Sequence, residues 1–224
     1  DKRFNSSLRA CAKFTLLTMV RVGNSSQAKW ADIDFDNKIW IVPADEMKMK
    51  DRADHIVPLS DQAINILESM RELSFDLEYV FPNYRFTTHI NSENINLSLK
   101  RGNVDTTTHG MRHLASTLLN ESQKFSNDLI EQALAHIDKN QIRAAYNNAT
   151  YIEARRGLMQ FLADFIDQCD TKDNNDKAGA PVGERTLIGS CGSLLEEQAT
   201  NDTDKTKDKA KDIIFLTDIF LLPP

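Results

Sequence analysis

The sequence predicts a mainly α-helical domain with a small three-stranded antiparallel sheet, an α+β fold. Three observations carry this reading. Apolar residues recur at helical spacing along most of residues 6–166. Two short apolar runs flank an Asp36-Asn37 turn, and a third run follows at His55-Ile56-Val57-Pro58-Leu59. The composition is that of a folded chain, with 41% hydrophobic residues, 27% charged residues and a mean hydropathy of -0.44. That balance excludes a mainly membrane-embedded protein and a wholly disordered one.

Taken in order, Leu8, Cys11, Phe14, Thr15 and Thr18 fall on one face, widened by Leu16, Leu17 and Met19. Their spacing predicts a buried helix ending near Arg21. Val22-Gly23-Asn24-Ser25-Ser26 is turn chemistry, with Ser25 or Ser26 placed to cap a short helix after it. Trp30, Ile33 and Phe35 predict one strand and Ile39, Trp40, Ile41 and Val42 the next. Asp36-Asn37 accepts the left-handed backbone of a tight hairpin. Pro43 stops the second strand, and residues 55–59 form the third. Ser60 caps a helix whose face is Ala63, Ile64, Ile66, Leu67 and Met70. After a loop at Tyr79-Val80-Phe81-Pro82, five further helices are predicted at 91–101, 109–120, 126–135, 140–147 and 151–166.

Beyond Asp167 the character changes. Residues 167–224 hold 12 of the 33 acids but only 7 of the 27 bases. Most of the net charge of -6 therefore sits there, and the remainder is nearly neutral. The chain divides into a folded body, 1–167, and an acidic low-complexity tail, 168–224, which ends in a short apolar segment. An acidic pI of about 5.4 argues weakly against nucleic acid, but a neutral body leaves room for a local basic face. No run approaches the roughly 18 uncharged apolar residues of a spanning helix. Cys11, Cys169 and Cys191 are odd in number and form no CxxC pair, which predicts a reducing cytosol. The opening, Asp1-Lys2-Arg3, has no initiator Met and no signal-peptide core, and reads as a fragment of something longer.

Four places carry chemistry. Arg21 follows an apolar helix and precedes a glycine turn, as an anion binder or as a solvated helix-end cation. His109 and Arg112 lie three apart near a predicted helix start, where an arginine fork and free N–H groups suit a phosphate. His109 and His113, four apart, also suit a metal, although Gly110 stands where metal hydrolases carry a glutamate. His136 ends one apolar helix, and Tyr146 lies ten positions later on the next. Lys48 and Lys50 lie between two strands, where a lysine is ordinarily a solvated charge.

As an ordered set, Arg21, Lys48, His109-x-x-Arg112, His136 and Tyr146 resemble the catalytic residues of the tyrosine recombinases, the phage-integrase family. Val20-Arg21-Val22-Gly23 with Trp30-Ala31-Asp32-Ile33-Asp34 looks like the family's first arginine box. Met47-Lys48-Met49-Lys50 with His55-Ile56-Val57-Pro58-Leu59-Ser60 looks like its lysine hairpin. Thr108-His109-Gly110-Met111-Arg112-His113, Leu134-Ala135-His136 and Arg143-Ala144-Ala145-Tyr146-Asn147 look like the second box. The similarity is nearest to integrases of prophages and genomic islands and covers about Leu8 to Asp167. The family's usual glutamate and leucine after the arginine-box glycine are Asn24 and Ser25 here, which predicts looser support behind Arg21.

The resemblance implies a tyrosine recombinase catalytic-domain fold over 1–167, without the family's N-terminal DNA-binding domains. It implies phosphoryl transfer on double-stranded DNA at attachment-site-like sequences, with no cofactor and no metal. Tyr146 is the implied nucleophile, Arg21 and Arg112 the phosphate clamp, and Lys48 the acid for the leaving oxygen. Lys50 is an alternative acid, because a two-residue offset on a strand faces the same way. His109 and His136 assist the proton or hold the phosphate. A homotetramer on DNA, in the bacterial cytoplasm and away from any membrane, is implied as well. Two other readings stand beside it: an inactive remnant that binds DNA or partner protomers, and a metal-dependent hydrolase built on His109, His113 and His136.

Overall fold

The computed structural model describes residues 2–46, 54–101, 106–136 and 151–168. In chain order these form α1 (Lys2–Thr18), α2 (Val22–Ser26), β1 (Ile33–Asp34), β2 (Ile39–Val42), β3 (His55–Pro58) and α3 (Asp61–Ser74). Then come α4 (Ser92–Arg101), α5 (Thr108–Glu121), α6 (Asn127–Ala133) and a last helix, α7, over 151–168. The predicted class holds: the described residues are mainly helical, with one antiparallel sheet in the order β1-β2-β3.

Helix α1 is the centre of the fold and packs against α2, α3, α4 and α5. Its buried face carries Leu8, Cys11, Ala12, Phe14, Leu16 and Leu17. Ser7, Thr15 and Thr18 are buried with them, because their hydroxyls donate to the carbonyls of Pro82, Cys11 and Phe14 at 2.6–3.1 Å. Phe14 meets Trp40 of β2 and Phe81 at ring-centroid distances of 5.2 and 5.5 Å, which joins the helices to the sheet.

The end of α1 differs from the sequence expectation. The helix stops at Thr18, and Met19 takes a left-handed φ of 54°. Arg21 is therefore the N-cap of α2, not the last residue of α1. The Asn24 and Ser25 N–H groups donate to the Arg21 carbonyl and start α2 there, so Ser25 and Ser26 lie inside the short helix instead of capping one.

The sheet pairs Trp40 with Ile33 on one side and Val57 on the other. Trp30 is in a 3-10 turn, not a strand, because its indole N–H reaches the Ser74 carbonyl at 2.9 Å. In the β1–β2 turn the left-handed residue is Lys38 at φ 49°, while the Asp34 carboxylate accepts from Asn37 twice. Ser60 caps α3 as expected, accepting from the Ala63 N–H.

Helix α7 buries Leu158, Met159, Leu162, Ala163 and Ile166. Arg156 donates to the Asn37 and Lys38 carbonyls, and Gln160 exchanges hydrogen bonds with Asp61 and Gln62. These contacts fix α7 across the β1–β2 turn and the start of α3. The helix expected at 140–147 and the tail beyond 168 lie outside the described residues. Among the described residues no helix is long and apolar enough to cross a membrane.

Candidate active site

The first turn of α5 is held from two sides. Thr107 caps it by accepting from the Gly110 N–H at 3.1 Å, and the Thr108 N–H donates to Asn96 of α4 at 2.9 Å. A β-carbon on Gly110 would lie 2.5 Å from the Thr106 hydroxyl, so the chain packs closely there. One turn further in, Arg112 is only 6% exposed. Its Nη1 donates to the Met19 carbonyl at 2.7 Å, and its Nη2 donates to the Leu134 carbonyl. Those acceptors lie at the C-terminal ends of α1 and α6, where carbonyls lack helical partners and the dipole favours a cation. The guanidinium thus clasps three helices and keeps further N–H groups for an anion.

Burial pushes the Arg112 guanidinium down to about 10, the nearby Arg21 charge adds to that, and Glu131 opposes it. Arg112 stays charged at neutral pH. Arg21 is half-buried, and its guanidinium has no hydrogen-bond or ion-pair partner among the described residues. Arg21 and Arg112 are 91 positions apart in sequence, yet the fold brings them near enough for the charge of one to act on the other, with Glu131 as the opposing acid.

His136 follows the end of α6. Its Nδ1 lies 2.6 Å from Glu131 Oε2, which leaves Nε2 for a ligand. Glu131 links this histidine to the arginine pair, since it also acts on Arg112. His109 stands exposed on the first turn of α5, one turn before Arg112. The two share a face but not a depth. Lys48, Lys50 and Tyr146 lie outside the described residues. Among the described residues no group of three His, Cys, Asp or Glu side chains is placed to hold a metal ion, so the histidine metal reading finds no arrangement there.

Some participants left no signal in the sequence, whereas Asn24 and His55 lie within the motifs quoted above. The Met19 and Leu134 carbonyls are backbone atoms, which no residue pattern marks. Glu131 is one acid among many on helix surfaces. Asn24, buried on α2, donates to the Glu46 carbonyl at 3.0 Å and so ties α2 to the turn after β2. His55 sits at the start of β3 with its Nε2 buried and without a hydrogen-bond partner among the described residues, and the charges of Arg155, Arg112 and Arg21 act on its ring.

Comparison with known proteins bears on this pocket. The sequence model described as the phage integrase family matches residues 2–153, from the start of α1 to the first turn of α7. Prophage integrase IntA of Escherichia coli is 44% identical over 168 residues, covering 74% of this chain and 40% of its own length. The integrase of Enterobacteria phage P4 is 38% identical over 175 residues, covering 71% and 40%. The chain therefore spans about 40% of the length of these relatives. The matched stretch contains Arg21, His109, Arg112 and His136, and with a family match of that extent the chain belongs to the phage integrase family.

Proposed function

We propose that residues 1–167 are the catalytic domain of a site-specific DNA recombinase, which cuts and rejoins DNA through a 3′-phosphotyrosine bond. The observation that carries the reading is the buried Arg112, clasped between helix ends and acted on by the charge of the half-buried Arg21, a pair of cations suited to a phosphodiester. In the reaction the Tyr146 oxygen forms a bond to phosphorus, and the bond from phosphorus to the 5′-oxygen breaks. A phenol has an ordinary pKa near 10 and is a weak nucleophile at neutral pH, so the phosphate must be made electrophilic. The two arginines neutralise the non-bridging oxygens as charge builds, a contribution of roughly 10²–10³ in rate for one such donor. Lys48, or Lys50 beside it, protonates the departing 5′-oxygen. His109 takes part in moving the tyrosine proton or holds the phosphate. His136, with Nδ1 turned to Glu131, presents Nε2 to the phosphate. Rejoining to a new 5′-hydroxyl reverses these steps and needs no external energy source, because the phosphotyrosine bond conserves that of the phosphodiester.

The substrate in this reading is double-stranded DNA at attachment-site-like sequences, bound by a homotetramer in the bacterial cytoplasm. Residues 168–224 are a tail whose apolar end docks on a neighbouring protomer or on its own body. Truncation after Gln168 tests that role: unchanged oligomeric state and cleavage exclude docking. The catalytic reading is tested on a nicked duplex that traps the covalent complex. The parent chain is expected to give a protein–DNA adduct and a free 5′-hydroxyl, and Tyr146→Phe neither. An adduct formed by the Phe variant rules out Tyr146.

A further inference from the structure

The end of α6 is built as a closed turn. The Ala135 N–H donates to the Gln132 carbonyl at 3.0 Å, and the His136 N–H donates to the Glu131 carbonyl at 2.9 Å. Ala135 itself takes a left-handed φ of 49°. This is the pairing by which a helix ends on a left-handed residue and satisfies its last carbonyls. The Leu134 carbonyl, at the C-cap of the same helix, accepts from Arg112. One turn therefore receives Arg112 on its backbone and sets the backbone of His136 two residues further on.

The backbone alone leaves the imidazole free to rotate about its two side-chain torsions. A second contact removes that freedom. Glu131 Oε2 lies 2.6 Å from His136 Nδ1, so Glu131 holds His136 twice, through its carbonyl and through its carboxylate. A carboxylate only accepts, so Nδ1 supplies the proton of that bond. Which ring nitrogen bears the proton of a neutral histidine is set by the partner it finds. The two side chains are 55% and 44% exposed, and an ion pair in that setting contributes little to stability. What the contact does is choose one edge of the ring for Glu131 and turn the other edge away. Glu131 also acts on Arg112 by charge, so the orienting bond has to be separated from that effect.

We infer that Glu131 is a positioning residue of this site: it holds the Nδ1 edge of His136 and leaves Nε2 as the edge offered to a DNA phosphate. Its effect on DNA cleavage rests on the proposed function; the orientation of the ring does not. Two substitutions separate hydrogen bond from charge. Glu131→Ala deletes both, while Glu131→Gln keeps an acceptor oxygen at the same reach and loses the charge. On the nicked duplex at saturating DNA, Glu131→Ala should slow covalent-complex formation by about tenfold, the scale of partners that orient a functional histidine. Glu131→Gln should recover to within about threefold of the parent, and Glu131→Ala should add no further loss to His136→Ala. Parent-like rates in Glu131→Ala, no recovery in Glu131→Gln, or an additive loss in the double variant overturn the inference.

The ring itself is read by ¹⁵N NMR of the chain without DNA, at a pH where the imidazole is neutral. The His136 signals are assigned by their loss in His136→Ala. The expected result is a proton on Nδ1 in the parent and its redistribution toward Nε2 in Glu131→Ala. A parent ring with its proton on Nε2, or a distribution that ignores Glu131→Ala, overturns the inference. If the parent chain forms no adduct, the recombinase reading fails, and this measurement alone decides how the ring is held.

Discussion

Arg112 has two roles at once, and a single substitution separates them from ordinary charge. Its fork reaches the Met19 and Leu134 carbonyls together, which a lysine with one ammonium cannot do. Arg112→Lys should leave one buried carbonyl bare, at a cost of about 1–3 kcal/mol, and slow cleavage by roughly 10²–10³. Denaturant unfolding and single-turnover cleavage measure the two losses; an unimpaired variant contradicts both roles. His55 makes a second prediction. Burial, with the charges of Arg155, Arg112 and Arg21 acting on the ring, lowers it to about 3 from an ordinary 6.5, while the Ala133 carbonyl opposes them. Between these values the unfolded chain binds a proton that the folded chain does not. The stability from the neutral ring is full above pH 6.5 and is lost as pH falls toward 3, by at most about 1.4 kcal/mol per pH unit. The stability profile of His55→Gln should be flatter than that of the parent over this window, and parallel profiles contradict the assignment. The His109-x-x-Arg112 spacing was legible in the sequence. The depth of each side chain was not, because residues three apart share a face while packing alone decides which one is submerged.

Among the elements, those with explicit start signals were legible. Ser60 and Ser126 cap α3 and α6 by accepting from Ala63 and Leu129 N–H groups, and the apolar period behind each matches the buried face. The boundaries set by left-handed residues were not. Met19, Lys38 and Ala135 take φ of 49–54° without being glycine or asparagine, so residue type gave no warning. The end of α1 was therefore placed too late, and Arg21 was put on the wrong helix. These turns matter to the site: Met19 and Leu134, next to Ala135, present the carbonyls that Arg112 clasps. The α5 start depends on its cap in the same way. Thr107→Ala should cost about 1 kcal/mol of stability, read as a lower denaturant midpoint with an unchanged slope. An unchanged midpoint removes the cap from the account of how His109 and Arg112 are placed.

For the whole molecule, the sequence showed the class of fold because one central helix and one small sheet each carry a regular apolar pattern. The convergence of Arg21 and Arg112 came from the resemblance and not from local pattern, since nothing between two positions so far apart encodes their meeting. Charge sets a further expectation. With residues 1–166 holding 21 acids against 20 bases, few phosphate contacts are available to this chain. DNA binding by the chain alone should be weak and fall steeply with salt, each phosphate contact adding about 0.9 to the log–log slope. Nanomolar affinity at physiological salt contradicts this. The central claim is that the arginine pocket serves a tyrosine nucleophile, and the most direct measurement is the site of covalent attachment. The adduct trapped on a nicked duplex is digested with protease and nuclease and sequenced by tandem mass spectrometry. The account predicts a nucleotide linked through its 3′-phosphate to Tyr146, and no such peptide when Arg112 is replaced by Ala. Attachment at any other residue, or DNA cleaved with no covalent adduct at all, contradicts it.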